Sequence, residues 1–245
     1  MIEERIADVR ERIHAACERA GRNPSDVTLI AVSKTKPVPM MEEAYELGIR
    51  DFGENKVQEL VRKHDILNEK YSGTIKWHQI GHLQRNKVKQ VIDKAVLIHS
   101  VDSLRLGLMI EQEAAKKNIR CDILLQVNIA EEDTKDGVKA GELLPLFMEL
   151  IRLPHIRIRG LMTIAPFVSD SEKNREYFSK MRQLFIDIKT KNIDNERRDI
   201  YFNPDSFTIL SMGMTGDYEV AIEEGATMIR VGTGVFGERD YTDIK

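Results

Sequence analysis

The chain has 245 residues, 42% of them hydrophobic and 31% charged, with a formal net charge of -3. That length suits one large α/β domain with its own core, and the charge balance gives no electrostatic drive toward nucleic acid or an anionic membrane. The opening residues Met1-Ile2-Glu3-Glu4-Arg5 lack the basic and apolar regions of a signal peptide, and no apolar run approaches the roughly 20 residues that span a bilayer. A cytoplasmic location is expected.

Ile2, Ile6, Val9, Ile13, Ala16 and Ala20 recur at helical spacing, and Gly21 with Asn23-Pro24 stops that helix. Thr28 to Val32 then reads as a strand buried on both faces. It runs into Ser33-Lys34-Thr35-Lys36-Pro37. A helix through Met40, Ala44 and Leu47 precedes a short strand, Arg50 to Gly53, whose end carries Glu54-Asn55. Helix Val57 to Leu67 leads to strand Ile75 to Ile80 and the polar loop Gly81 to Lys87, followed by a helix to Ile92. Strand Ala95 to His99, helix Ser103 to Lys117, strand Asp122 to Asn128 and helix Gly141 to Arg152 continue the alternation. Strand Ile156 to Met162, helix Ser171 to Lys191, strand Phe207 to Leu210, helix Asp217 to Glu224 and strand Met228 to Val231 complete it. No linker or low-complexity tract divides the chain, so residues 1–245 are expected to form one domain. Eight strand-helix alternations predict a single closed (β/α)8 barrel, with an open doubly wound sheet as the competitor. Cys17 and Cys121 fall on apolar elements and are expected as buried thiols rather than a disulfide or metal pair.

In a barrel all strand ends open on one face, where Lys36, Asn55, His78, Asn128, Met162, Ser211 and Thr233 would gather. Lysine loses its proton readily when desolvated, and the neutral amine condenses with an aldehyde or ketone. Solvated strand-end charges are the plainer account of Lys34 and Lys36, and strand parity does not choose between them. The turns Ser211 to Thr215 and Gly232 to Gly234 follow the last two strands, where barrels often hold phosphate. Hydroxyls of Ser211 and Thr233 can donate to phosphate oxygens while glycines admit the backbone. Helix capping by the same Ser and Thr is the alternative. Gly232-Thr233-Gly234-Val235-Phe236-Gly237 also fits a dinucleotide fingerprint, but the chain stops at Lys245, before the strand and acidic residue such a site needs. His78 and His82 straddle a strand end, no neighbouring carboxylate or cysteine completes a ligand set, and no metal is expected. Arg230 lies two positions before Gly232 and so on the same strand face. It can pair with a carboxylate or donate to an unprotonated pyridine nitrogen.

Lysine amine, phosphate cup and ring-facing arginine together describe pyridoxal phosphate. Ala31 to Pro37, Phe52-Gly53-Glu54-Asn55, Trp77 to Gln84, Gln126-Val127-Asn128, Arg159-Gly160-Leu161-Met162, Leu210 to Met214 and Arg230-Val231-Gly232-Thr233 resemble the pyridoxal phosphate homeostasis protein family along nearly the whole chain. The resemblance implies a TIM-like barrel of pyridoxal phosphate fold type III, related to the N-terminal domain of alanine racemase and without its second, β domain. It implies Lys36 as the Schiff-base residue and Arg230 facing the pyridine nitrogen. Asn55, Ser211, Met212, Gly232 and Thr233 are the further cofactor-binding positions expected. His82 and Arg85 depart from the pattern, standing where Pro and Ser are expected. Racemisation needs an opposing tyrosine that alanine racemase takes from its second domain, and an arginine at the ring nitrogen weakens the electron sink. The expected role is therefore a monomeric, non-catalytic carrier that buffers pyridoxal phosphate or delivers it to apoenzymes, with effects on amino-acid and keto-acid metabolism. A weak amino-acid racemase and a Schiff-base aldolase on a phosphosugar are the alternatives.

Overall fold

Short runs of β-branched and aliphatic residues, each closed by a polar or glycine-bearing turn, form the strands of a barrel in a computed structural model that describes residues 1–132, 134–191 and 201–238. The strands are β1 (Thr28–Val32), β2 (Asp51–Glu54), β3 (Lys76–Gln79), β4 (Ala95–Val101), β5 (Cys121–Asn128), β6 (Val138–Lys139), β7 (Ile156–Met162), β8 (Ile209–Met214) and β9 (Met228–Val231). All pairings are parallel, and β1 pairs with both β2 and β9 while β4 pairs with β5, so eight strands close a ring and β6 hangs from β5. Two-residue β6 was not expected; Val138 and Lys139 carry too short a pattern to show alternation. The penultimate barrel strand also runs further than its apolar residues suggest. Ser211 to Met214, read as a turn, belong to β8.

The helices are α1 (Ile2–Arg19), α2 (Val38–Glu46), α3 (Val57–Tyr71), α4 (Val88–Val91), α5 (Leu104–Lys117), α6 (Ala140–Leu150), α7 (Arg175–Lys189), α8 (Tyr218–Glu223) and α9 (Thr233–Phe236). α1 buries the stripe Ile2, Ile6, Val9, Ile13, Ala16 and Cys17 and packs on α8 and α9. Its outer arginines reach across to α8, with Arg19 Nε 2.6 Å from Glu223 Oε1. The main apolar cluster lies between strands and helices, whereas Leu97, Leu124 and Met162, with Ile209 and Met228, form a separate plug inside the ring. Both cysteines are buried and free, and burial pushes the Cys121 thiol up to about 12. Among the described residues no helix is long and apolar enough to cross a membrane.

Candidate functional site

At the C-terminal ends of the strands a cavity of about 330 Å³ opens, lined by Lys34, Asn55, Met214, Thr215, Arg230, Gly232 and Thr233 among others. Its size lies at the small end of the range for small-molecule sites. A wider depression of about 650 Å³ beside it is shallower and borders His82, Arg85, Asp102 and Arg105.

Lys34, not Lys36, faces the cavity. Val32 and Lys34 point the same way as strand alternation demands, but Thr35 then adopts φ 64°, a left-handed conformation that costs a β-branched residue roughly 1–3 kcal/mol. The turn is closed by Lys36 N–H donating to Ser33 O at 2.9 Å. Lys36 is thereby carried outside, where its Nζ lies 3.4, 3.0 and 2.7 Å from the carbonyls of Phe236, Gly237 and Glu238. Three carbonyl acceptors suit an ammonium group with three N–H bonds to give, not a nucleophilic amine.

Glu54 and Lys63 hold that turn in place from beneath. Lys63, fully buried, donates to Ser33 O at 2.6 Å, to Glu54 Oε1 at 2.8 Å and to Glu59 Oε1 at 2.7 Å. Ser33 Oγ donates to Glu54 at 2.6 Å, and Thr35 N–H to Glu59 at 2.7 Å. Burial raises the Glu54 carboxyl above its ordinary range while Lys63 pulls it down. The strain at Thr35 persists because its own N–H and hydroxyl, the carbonyl and hydroxyl of Ser33 and the Lys63 ammonium are all tied.

Arg230 lines the cavity with its guanidinium buried, donating from Nη1 to Ser211 Oγ at 2.7 Å and from Nη2 to Thr163 O at 2.8 Å. Among the described residues it has no carboxylate partner within ion-pair distance, and burial lowers its pKa to about 10. Ser211 is fully buried beneath it and does not line the cavity. Because Ser211 sits within β8 rather than in the turn after it, its hydroxyl serves Arg230 and His99. Asp51 can only accept at the far end of this hydrogen-bond chain, and a neutral ring that donates toward it accepts at its other nitrogen, so the Ser211 proton goes to His99 Nδ1 at 3.1 Å while its oxygen accepts from Arg230. His99 Nε2–H then donates to His78 Nδ1 at 3.1 Å, and His78 Nε2–H to Asp51 Oδ1 at 3.0 Å. These proton positions follow from the network. Burial holds His99 well below its ordinary 6.5, consistent with a neutral ring.

Met212 also misses the cavity, packing outward in the main core, while Met214 and Thr215 reach it. The register of β8 against β9 shifts between Ser211 and Met214, and Gly213 sits at φ 90°, where a Cβ would lie 2.6 Å from that of Ala221. Asp217 accepts from Met214 N–H at 2.7 Å, and Gly232 N–H points to Thr215 Oγ1 at 3.3 Å, joining the two expected turns. Asn55 is positioned by Gln79, whose Nε2 donates to the carbonyls of Asn55 and Gly81. A Cβ on Gly81 would stand 2.5 Å from Asn55 O. Asn128 holds the following loop through Glu132 O, Met162 belongs to the interior plug and His78 lies in the buried chain. Of the expected site residues, Asn55, Arg230, Gly232 and Thr233 come together; Lys36, Ser211 and Met212 do not. Lys34, Met214 and Thr215 take their places on the cavity wall.

The family described as alanine racemase, N-terminal domain, matches residues 5–240. A pyridoxal phosphate homeostasis protein of Aquifex aeolicus is 43% identical over 97% of this chain and 98% of its own. The chain belongs to the pyridoxal phosphate homeostasis protein family. Another similar protein, PipY of Synechococcus elongatus, solved with PLP bound, is 33% identical, with a TM-score of 0.78 over 97% of this chain and all of that one. Alanine racemase of Corynebacterium glutamicum, 11% identical with a TM-score of 0.67, shares the barrel, and this chain spans 63% of its length. The homeostasis family is thus built on the racemase barrel.

Proposed function

We propose that the chain holds pyridoxal phosphate at this cavity through Lys34 and works as a non-catalytic carrier that buffers the cofactor or hands it to apoenzymes. The observation that carries this reading is the joint placement of Lys34, Arg230, Thr215 and Thr233 on one wall system, with a buried guanidinium facing the space. The bound cofactor would supply an aldehyde open to amine attack, an aromatic ring nitrogen and a phosphate. Lys34 is the amine that takes the aldehyde. Arg230, fixed by Ser211 and Thr163, presents donors to an unprotonated ring nitrogen. Hydroxyls of Thr215 and Thr233 and the backbone at Gly232 receive the phosphate. Asn55 closes the side held by Gln79.

Carriage is favoured over turnover because no tyrosine stands opposite Lys34 among the described cavity residues, and an arginine at the ring nitrogen makes the ring a poorer electron sink. The chain works in the cytoplasm and as a monomer in this reading. Borohydride reduction of the loaded protein followed by peptide mapping tests it: the pyridoxyl mark should fall on Lys34 and vanish in Lys34→Ala but not in Lys36→Ala. A mark on Lys36 would return the nucleophile to the outer lysine. Loaded wild type should reactivate a cofactor-free acceptor enzyme. Rapid exchange of the α-proton of free amino acids in deuterated water, abolished by Lys34→Ala, would make the protein a racemase instead.

A further inference from the structure

His82, Asp102 and Asp136 come from three separate loops yet offer one ligand atom each within 4.8 Å of one another. The sequence hides this set, since the carboxylates that complete it are remote from His82 along the chain. Each residue is carried by an anchored backbone. His82 lies between Gly81, packed on Asn55, and the buried Leu83. Asp102 follows Val101, the last residue of β4 and fully buried. The carbonyl of Asp136 accepts from Gln126 Nε2 at 3.1 Å, and Asn128 Nδ2 holds Glu132 O and Lys135 O in the same loop.

The trio sets two carboxylates against one imidazole, and among the described residues neither carboxylate has a lysine or arginine partner within ion-pair distance. His82 Nδ1 stands 3.7 Å from Asp136 Oδ1, too far for a hydrogen bond. Ligands about 2.1 Å from a tetrahedral ion are about 3.4 Å apart, so that gap nearly matches two donors on one cation. We propose that His82, Asp102 and Asp136 bind a borderline divalent cation of the Zn2+ type, with the remaining coordination position open to water. The imidazole selects against Mg2+ and Ca2+, which take oxygen ligands. His82 and Asp136 also line the cavity, so the ion braces the loops after β3, β4 and β5 across its rim. The site stands on its own residues and does not depend on what the cavity holds.

Calorimetric titration of the metal-stripped full chain with Zn2+ alone, with and without pyridoxal phosphate, tests the proposal. One equivalent should bind, and Mg2+ at the same concentration should not. His82→Ala and Asp102→Asn should each weaken Zn2+ at least about tenfold, as loss of a direct ligand exceeds loss of an outer partner. His14→Ala, an exposed imidazole on α1, should bind as wild type does. In unmutated protein, Zn2+ should shift the ring resonances of His82 first, a readout independent of variant folding. Undiminished affinity in His82→Ala, an equal loss in His14→Ala, or an unshifted His82 ring would overturn the site.

Discussion

Replacing Lys63 by Met tests whether the turn that presents Lys34 is set from below. Lys63 is 0% exposed and gives its three protons to Ser33 O, Glu54 and Glu59. Removing it leaves the Glu54 carboxylate buried with Ser33 Oγ as its remaining donor, and Glu54 Oε2 already lacks a partner among the described residues. Breaking a buried pair from one side costs about 3–5 kcal/mol. For a chain of this size that is roughly 6–20 °C in melting temperature. The loss should depend on pH. Burial already raises the Glu54 carboxyl above 4.5, and Lys63 opposes that rise. Without Lys63 the folded carboxyl rises further, so above its unfolded value the folded state binds more protons and stability falls as pH rises. Urea unfolding of Lys63→Met should therefore show a larger deficit at about pH 7 than at about pH 5. Glu54→Gln/Lys63→Met should lose less than the sum of its single changes, because the stranded charge is gone. A deficit below about 1 kcal/mol, or one equal at both pH values, would refute the argument.

Thr233→Val should weaken pyridoxal phosphate about tenfold while leaving pyridoxal unchanged, because only the former offers oxygens to that hydroxyl; equal weakening in a binding titration would place the phosphate elsewhere. Thr35→Asn should stabilise the fold by about 1 kcal/mol by replacing a β-branched residue at φ 64° with one that tolerates it, and a lower melting temperature would contradict this. His99 stays neutral when folded and takes a proton when unfolded, so wild type should lose stability as pH falls below 6.5. His99→Gln should flatten that part of a urea-midpoint profile; parallel profiles would show that another group titrates.

The barrel was legible because its strands are buried on both faces and its helices on one, so two hydrophobic periods alternate eight times. Arg230, Gly232, Thr233 and Asn55 were legible because they stand at or just beyond strand ends, where position along the chain alone brings them to the mouth. Lys36, Ser211 and Met212 were misplaced for local backbone reasons. Thr35 turns left-handed and breaks the alternation that would have kept Lys34 and Lys36 equivalent, while β8 runs past its apolar residues and bulges at Gly213. The useful signal lay in Val32, two residues before Lys34 and on the same face. Glu54 could have been noticed as a carboxylate ending an apolar strand. His99 could not, because only barrel closure carries β4 across to β8.

The hydrogen-bond chain from Arg230 to Asp51 also gives the barrel interior a polarity. Every proton in it points the same way, from a cation near the mouth to an anion at the opposite, N-terminal end of β2. The two charges never meet, yet aligned neutral dipoles link them in a medium that screens poorly. The direction is written by Asp51, whose carboxylate can only accept, so that each ring gives its Nε2–H toward it and accepts at Nδ1, and Ser211 turns its hydroxyl toward His99. Once that acceptor is removed, both imidazoles can exchange tautomers in step and Ser211 is free to reverse. Redesign of the cavity floor therefore extends to residues on the far side of the molecule, and Asp51 belongs to the same electrostatic unit as the pocket it never touches.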